Sequence, residues 1–216
     1  MFQRDYIMRL IEMMGDLMRR IAELMSDLNR MRLLNDACRR HAGLSLETAE
    51  SLNSQSLLEM LGSIPRLMVS ELLYIRAHSF SLSVERQEDC LLKCLRLLSS
   101  LWNEGSLCEL RADRLAEIKM RVQPLLTADD LLYCARFFAQ AECYDEMENA
   151  LFQAAEHLPV QANPSALRTE GTAMLTQAAS APPEALSAVK MTVQELLEAA
   201  DEFARLWDDS DIAPAK

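Results

Sequence analysis

The sequence contains few residues that form turns. Among its 216 residues are 5 glycines and 7 prolines, and aromatic residues make up 6% of the chain. Few turn residues imply few turns and therefore long secondary-structure elements. Runs rich in Val, Ile and Thr, which favour strands, are also missing. Leu, Ala, Met, Glu and Arg dominate instead, and because these side chains lose little rotamer freedom in a helix, the sequence predicts an all-α fold.

The chain also lacks an excess of positive charge. Its formal net charge is -11 and its sequence pI is about 4.8. Nucleic-acid binding depends on a basic footprint, so the composition disfavours a nucleic-acid partner. The charge is uneven, because residues 1–43 contain eight Lys/Arg against six Asp/Glu and the rest of the chain carries -13. An acidic body of this kind favours solubility.

Long apolar runs are missing as well. No run of about 18 uncharged apolar residues occurs, which excludes a membrane span at the level of the sequence. Arg4, Arg9 and Glu12 interrupt the apolar residues near the start, so no signal peptide is recognisable. The six cysteines do not have the spacing of a secreted disulfide framework. We therefore expect a cytoplasmic protein with reduced, buried cysteines.

The most regular apolar pattern spans residues 2–34. Two sets of apolar residues, three positions apart, each recur every seven residues as in an a/d heptad: Ile7, Leu10, Met14, Leu17, Ile21, Leu24, Leu28 and Met31. The pattern predicts one helix of about 33 residues, roughly 50 Å long at 1.5 Å per residue. Its apolar stripe has three candidate partners: the rest of the chain, a second copy or partner helix, or a membrane surface. The polar face is mixed in sign, which disfavours the membrane.

The rest of the chain is predicted to form shorter helices separated by Gly, Pro and Ser. These helices cover residues 45–61, 66–80, 85–102, 106–123, 128–141, 164–178 and 183–207. A further helix follows residue 141 after a tight turn and ends near residue 157. The predicted domains are a long amphipathic helix with its connector, a helical-hairpin domain and an acidic tail, over residues 1–43, 44–207 and 208–216. Paired helices with short turns indicate a fold of stacked antiparallel hairpins.

Residues 128–159 resemble a tetratricopeptide repeat. The matching positions are a small residue and an aromatic on the first helix, and an alanine and a proline that close the second: Ala135, Phe138, Ala154 and Pro159. Two positions depart from the pattern, because Leu131 stands where tryptophan is usual and Met147 where alanine is usual. The resemblance implies a tetratricopeptide-like solenoid.

In tetratricopeptide-like repeats the first helix of each pair lines a groove that binds partner peptides. Carried onto this sequence, the resemblance implies a groove lined by Asp129, Leu132, Tyr133, Arg136, Ala139 and Gln140. Asp129, Arg136 and Gln140 would hydrogen-bond an extended peptide, and Tyr133 would supply an amphipathic contact. The alternative is that these are ordinary surface positions or are covered by residues 160–216.

The opening segment is similar to the start of a bacterial protein family, mostly from Gram-positive organisms, that has no assigned activity. The similar residues are Met1-Phe2-Gln3-Arg4-Asp5-Tyr6-Ile7-Met8-Arg9-Leu10-Ile11-Glu12. Members of that family are all-α, with a long first helix followed by repeat-like hairpins. The resemblance implies a cytoplasmic bacterial protein and carries over no activity.

Residues that support catalysis or metal binding do not form a recognised pattern. Cys90 and Cys94 lie at i and i+4, and Cys38 and His41 form a C-x-x-H pair, but a structural zinc site takes four ligands. None of the three histidines lies in a metalloprotease or deaminase motif. We therefore predict buried structural cysteines, no metal, no cofactor and no catalytic residue.

These observations favour a non-catalytic protein-interaction or scaffold module. The second hypothesis is a homo-oligomer assembled through the N-terminal stripe, with a contact face formed by Ile7, Leu10, Met14, Leu17, Ile21, Leu24 and Leu28. A peripheral membrane-surface protein and an enzyme with an unrecognised helical active site are further alternatives.

Overall fold

A computed structural model describes residues 4–24 and 26–208 of the chain. Within these residues it contains twelve α-helices, one 3-10 turn and no strand, which confirms the predicted all-α fold. Residues 1–3 of the opening segment and 209–216 of the acidic tail lie outside the described residues. The helices are α1 Arg4–Glu23, α2 Asp27–Ala42, α3 Leu46–Ser51, α4 Ser54–Met60, α5 Ser63–Ser79, α6 Val84–Ser99, α7 Gly105–Val122, α8 Ala128–Gln140, α9 Tyr144–Glu156, α10 Ser165–Ala178, α11 Pro183–Ala188 and α12 Val193–Arg205.

The chain divides into two compact units, Met1–Leu125 and Leu126–Lys216. This division differs from the predicted one, which separated residues 1–43 from the rest. Both α1 and α2 contact α5, and α1 also contacts α7, so the N-terminal helices belong to the body of the first unit. A 3-10 turn at Gln123–Leu125, which contains Pro124, follows α7 at the end of that unit.

In the first unit, α5 is the central helix. It contacts α1, α2, α3 and α6, and its apolar residues Leu67, Leu72 and Ile75 are fully buried or nearly so. A helix that is apolar on several sides is stable only where neighbours cover each side. The predicted pair formed by α6 and α7 is confirmed, with its connection at residues 100–104.

The predicted single helix over residues 2–34 is wrong. The structure ends α1 at Glu23 and begins α2 at Asp27, and α2 then continues to Ala42, beyond the predicted end. Gly43 ends α2 with a positive φ of 76°, and its N–H donates to the carbonyl of Arg39. Residues 35–43 were predicted to form a connector that ends at Gly43. The connector is therefore helical to Ala42, and only its end at Gly43 agrees with the prediction.

The break between α1 and α2 has a local cause. Ser26 has an extended backbone at the N-cap position of α2, but its side chain makes no capping hydrogen bond. The Arg30 guanidinium donates to the carbonyl oxygens of Leu24 and Ser79, at 2.9 Å each. These bonds satisfy one backbone acceptor just after α1 and another at the end of α5. Heptad spacing continues across such a short break and therefore did not reveal it.

The predicted helix over residues 45–61 is also divided. Asn53 accepts a hydrogen bond from the Ser56 backbone N–H at 2.7 Å and so caps a new helix, α4. The predicted end near residue 61 is confirmed, because α4 ends at Met60. The next helix was predicted to begin at residue 66, but α5 begins at Ser63, so Pro65 lies in its first turn. Proline is tolerated there because first-turn N–H groups have no partner within the helix.

In the second unit, α8 and α9 form the predicted hairpin, and α10 packs mainly on α12. Thr127 caps α8: its hydroxyl accepts from the Asp130 N–H, and the Asp130 carboxylate accepts from the Thr127 N–H. Glu142 adopts a positive φ of 58° in the turn before α9. The predicted start of α10 next to Pro164 and its end at Ala178 are confirmed.

The predicted long helix over residues 183–207 is wrong, because the structure contains α11 and α12 in its place. Thr192 begins α12 with a second capping box. Its hydroxyl accepts from the Glu195 N–H at 3.2 Å, and the Glu195 carboxylate accepts from the Thr192 N–H at 2.8 Å. Lys190, with a φ of 58°, turns the chain between the two helices.

Candidate protein-binding surface

The α8–α9 hairpin provides a rigid support for the predicted groove. Five of the six positions compared with the tetratricopeptide repeat are packed inside it and are at most 1% exposed: Leu131, Ala135, Phe138, Met147 and Ala154. The sixth, Pro159, is exposed and lies beyond the end of α9. Small residues such as Ala135 and Ala154 allow close approach of two helices, and aromatic rings fill the space beside them. The outward face of α8 is thereby fixed in position.

The structure places the predicted groove residues on one face of α8. Asp129, Tyr133 and Gln140 are exposed, and they lie at spacings of four and seven residues, which is one side of a helix. Leu132 and Ala139 beside them are half-buried. This shared face is the part of the site prediction that the structure describes directly.

Arg136 does not have the position that was predicted for it. Its guanidinium donates to both carboxylate oxygens of Glu170 on α10, at 2.5 and 2.8 Å, and lies 4.9 Å from the Tyr133 ring centroid. The hydrogen bond to Glu170, first among the causes, raises the pKa of Arg136. The guanidinium is therefore engaged inside the unit, and the role of Arg136 as a donor to a partner peptide is corrected to a structural one. The contact with α10 concerns Arg136, whereas Asp129, Tyr133 and Gln140 stay exposed.

The predicted N-terminal contact face is largely internal. Five of its residues are at most 8% exposed within the first unit: Ile7, Leu10, Met14, Leu17 and Ile21. Leu24 is half-buried and Leu28 is 79% exposed. The stripe thus packs on the chain itself, so the interpretation of these five residues as an exposed oligomer face is corrected. Leu28 departs from the stripe because it lies beyond the break, on α2.

The thiols are poorly placed for chemistry. Five of the six cysteines are buried, as predicted: Cys38, Cys90, Cys94, Cys108 and Cys134. Burial raises the pKa of the Cys38 and Cys90 thiols to about 11. Because the thiolate is both the nucleophile and the metal ligand, this shift makes the thiols inert near neutral pH. Among the described residues, no three His, Cys, Asp or Glu side chains are grouped so that they could hold a metal ion.

A polar network that was not predicted joins α5 to α7 in the first unit. Glu71, 3% exposed, accepts from the guanidinium groups of Arg111, at 2.7 Å, and Arg114. Arg114 lies over the Tyr74 ring, 4.1 Å from its centroid. A buried carboxylate is costly unless it is paired and hydrogen-bonded, and here two cations pair it.

The network continues along the same two helices. The Tyr74 hydroxyl donates to Glu117 at 2.9 Å, and His78 Nε2 lies 3.4 Å from the other Glu117 oxygen. Burial, followed by the hydrogen bond to Glu117, raises the pKa of Tyr74, so the phenol is not activated as a nucleophile. These carboxylate, phenol and guanidinium groups bond to one another and thereby hold α5 and α7 together. In the sequence, the helical spacing of Glu71, Tyr74 and His78 along α5 was the available sign of this network.

The negative charge of the chain lies in the second unit. Residues 1–125 contain 17 Lys/Arg and 17 Asp/Glu, whereas residues 126–216 contain 5 and 16, so the second unit accounts for all of the net -11. Its three arginines each contact a carboxylate of the same unit: Arg136 contacts Glu170, Arg168 contacts Asp208 and Arg205 contacts Asp201. The surplus carboxylates make this unit electrostatically suited to cationic partners.

Comparison of the chain with known protein families, curated proteins and solved structures gives no significant match. The tetratricopeptide-like assignment and the similarity of the opening segment therefore stay predictions. Within the described part of the chain, no helix combines the length and the apolar content needed to cross a membrane.

Proposed function

We propose that the chain is a non-catalytic protein-binding module and that its docking surface is the exposed face of α8, formed by Asp129, Tyr133 and Gln140. The observation that carries this proposal is the position of Tyr133. The residue is 41% exposed, and its ring lies against Arg136, which Glu170 holds in place. A rigid, exposed tyrosine loses little entropy when it is covered, and tyrosine is enriched among residues that dominate binding energy.

Two further observations favour binding over catalysis. The buried thiols have raised pKa values, and the groups of the polar network between α5 and α7 are hydrogen-bonded to one another. We also propose a cytoplasmic location. The five buried cysteines support it, because thiols persist in a reducing compartment.

Site-specific photo-cross-linking tests the α8 surface. The photoreactive residue p-benzoylphenylalanine replaces Tyr133 in the full chain, which is irradiated in cells of the source organism. Tyr6 is a matched control, because it is also 41% exposed but lies on α1 in the first unit. We expect a discrete protein adduct from position 133 that position 6 does not give.

A charge reversal on the same face tests whether the adduct is specific. Asp129→Arg should reduce the adduct at position 133, because Asp129 is exposed one turn before Tyr133 and its change breaks no described contact across the hairpin. Arg136→Glu is unsuitable, since it would place a carboxylate against Glu170. The same adducts at both tyrosine positions, or no adduct at position 133, would contradict the proposal.

A further inference from the structure

The outward face of α12 presents apolar side chains beside carboxylates. Val193 and Leu197 lie one helical turn apart and are 45% and 43% exposed. Asp201 follows one turn later, and Glu198 and Glu202 lie next to it, all three exposed. We call these five residues the α12 surface. An apolar stripe bordered by charge of one sign is the pattern expected of an interface that selects its partner by charge.

The α12 surface has a fixed support. The opposite face of the helix buries Leu196, Ala200 and Phe203, and α12 packs on α10. The Phe203 ring packs edge-to-face with Phe152 and with Trp207, at centroid distances of 5.4 Å in both pairs. Because the inner face is locked, the outer face can bind without a large loss of conformational entropy.

A concave region adjoins the stripe. Glu198, Asp201, Glu202, Arg205 and Leu206 line a surface cavity of about 520 Å³. Among these lining residues the one cation is Arg205, and it lies 3.9 Å from the Asp201 carboxylate. Three carboxylates thus meet one guanidinium, so the cavity keeps a negative excess.

Negative charge continues from α12 onto α9. Burial, followed by the nearby carboxylates of Glu195, Glu202 and Asp145, raises the pKa of Glu148. Like charges from two helices repel one another here. A cation supplied from outside the unit would relieve this repulsion, whereas an added anion would increase it.

We propose that the α12 surface docks a basic amphipathic helix of another protein. Apolar side chains of that helix cover Val193 and Leu197, and its Lys and Arg side chains lie over Glu198, Asp201 and Glu202. The one-turn spacing of the stripe matches anchors that recur at i, i+4 and i+7 on a second helix. The inference rests on the proposed function in treating the chain as a protein binder, but its surface does not include Tyr133.

Fluorescence anisotropy with the full-length chain tests the inference. The probe is a labelled peptide of leucine and lysine, about 18 residues or five helical turns long, with all leucines on one helical face. A peptide of the same composition in scrambled order measures attraction by charge alone. We expect the amphipathic peptide to bind about tenfold more tightly than the scrambled one, because only the former can place apolar anchors on the stripe.

Variants of the α12 surface separate it from the general acidity of the unit. The double change Glu198→Lys and Glu202→Lys should weaken binding about tenfold or more, since it places like charges opposite the lysines. The neutral pair Glu198→Gln and Glu202→Gln should weaken it less, and Leu197→Ser should reduce the advantage of the amphipathic peptide. Glu184→Lys is the matched control, because it reverses an exposed carboxylate of the same unit on a different helix, α11.

Several results would overturn the inference. These are equal binding of the two peptides, an equal loss from Glu184→Lys, or no binding of the amphipathic peptide. A dimer in light scattering that the double lysine variant dissociates would assign the surface to a second copy and would also overturn it. Failure of the α8 surface is seen separately, as a missing adduct at position 133 while the peptide still binds at α12.

Discussion

Replacement of Gly171 by alanine tests the packing of α10 on α12 most directly. A Cβ atom at Gly171 would lie 2.8 Å from Cζ of Phe203 and closer still to Cε1, a separation that forces a shift of one group. The Phe203 ring has little room to move, because it is fully buried and packs against Phe152 and Trp207. The methyl group therefore has to displace α10 or the ring.

Two opposing effects decide the magnitude. Alanine in place of glycine inside a helix stabilises by about 1 kcal/mol. Overpacking a close-packed core costs about 1–3 kcal/mol. Because the contact is with the side of a locked aromatic ring and not with a flexible chain end, we expect the packing cost to exceed the gain. Subtracting the gain from the cost predicts that Gly171→Ala lowers the free energy of unfolding of the second unit by up to about 2 kcal/mol.

The two tryptophans allow each unit to be followed by itself. Trp102 lies in the first unit and Trp207 in the second, where it contacts Phe203. In a Trp102→Phe background, urea unfolding monitored by fluorescence reports the second unit. Gly15→Ala is the matched control, followed through Trp102 in a Trp207→Phe background. Gly15 is an exposed helical glycine, and a Cβ atom added to it would meet nothing within 4 Å, so alanine should stabilise there by up to about 1 kcal/mol.

Gly171→Ala and Gly15→Ala should change the free energy of unfolding in opposite directions. If Gly171→Ala stabilises the second unit as Gly15→Ala stabilises the first, the close approach of α10 to Phe203 is wrong. A double-mutant cycle adds an independent check: in a Phe203→Leu background the cost of Gly171→Ala should shrink, because the shorter side chain leaves space for the methyl group. An unchanged cost would show that the loss has another origin.

Three further predictions follow from groups that the structure buries. Glu71→Leu should destabilise the first unit by about 3–5 kcal/mol, because it leaves the Arg111 and Arg114 guanidinium groups without their carboxylate. Urea unfolding followed by Trp102 fluorescence measures the loss, and a loss below about 1 kcal/mol contradicts the prediction. Near pH 8, Ellman's reagent should react with one thiol of the native chain, that of the half-buried Cys143, and with six thiols in urea. Rapid reaction of several thiols in the native chain would be inconsistent with the burial of the other five. Folding favours protonated Glu148, since its pKa is raised, so the ionised carboxylate destabilises the second unit increasingly as pH rises above the ordinary glutamate range. Glu148→Gln should therefore raise Tm at about pH 7 and change it little at about pH 4, and a lower Tm at pH 7 refutes this sign.

Helical spacing predicted where helices lie better than where they end. The pattern through residues 2–34 and 183–207 continues across a break, because a few residues hardly disturb an apolar repeat. The signals for the breaks are short and polar. Thr192 and Glu195 form a capping box at S/T-x-x-E spacing that is visible in the sequence, whereas Ser26 is a single N-cap residue that becomes informative only in its extended conformation.

The candidate surface was predictable as a face but not in its contacts. One helical periodicity places Asp129, Tyr133 and Gln140 together, and the structure agrees. The Arg136–Glu170 pair joins residues 34 positions apart, and Glu71 meets Arg111 across 40 positions. Such pairs depend on how helices dock, which the spacing within one helix does not encode.

The distribution of charge gives the two units different responses to salt. The first unit is balanced, whereas the second carries the whole excess of negative charge and pairs its arginines internally. Salt screens exposed charges over a Debye length of about 8 Å at 0.15 M ionic strength. Screening should therefore stabilise the second unit by weakening self-repulsion, and leave the first nearly unchanged. The same screening should weaken a complex with a basic helix, because there the charges attract. An acidic unit without a basic partner would be stabilised by salt and show no binding for salt to weaken. The α12 surface therefore requires that salt stabilises the second unit and weakens its binding to the basic helix.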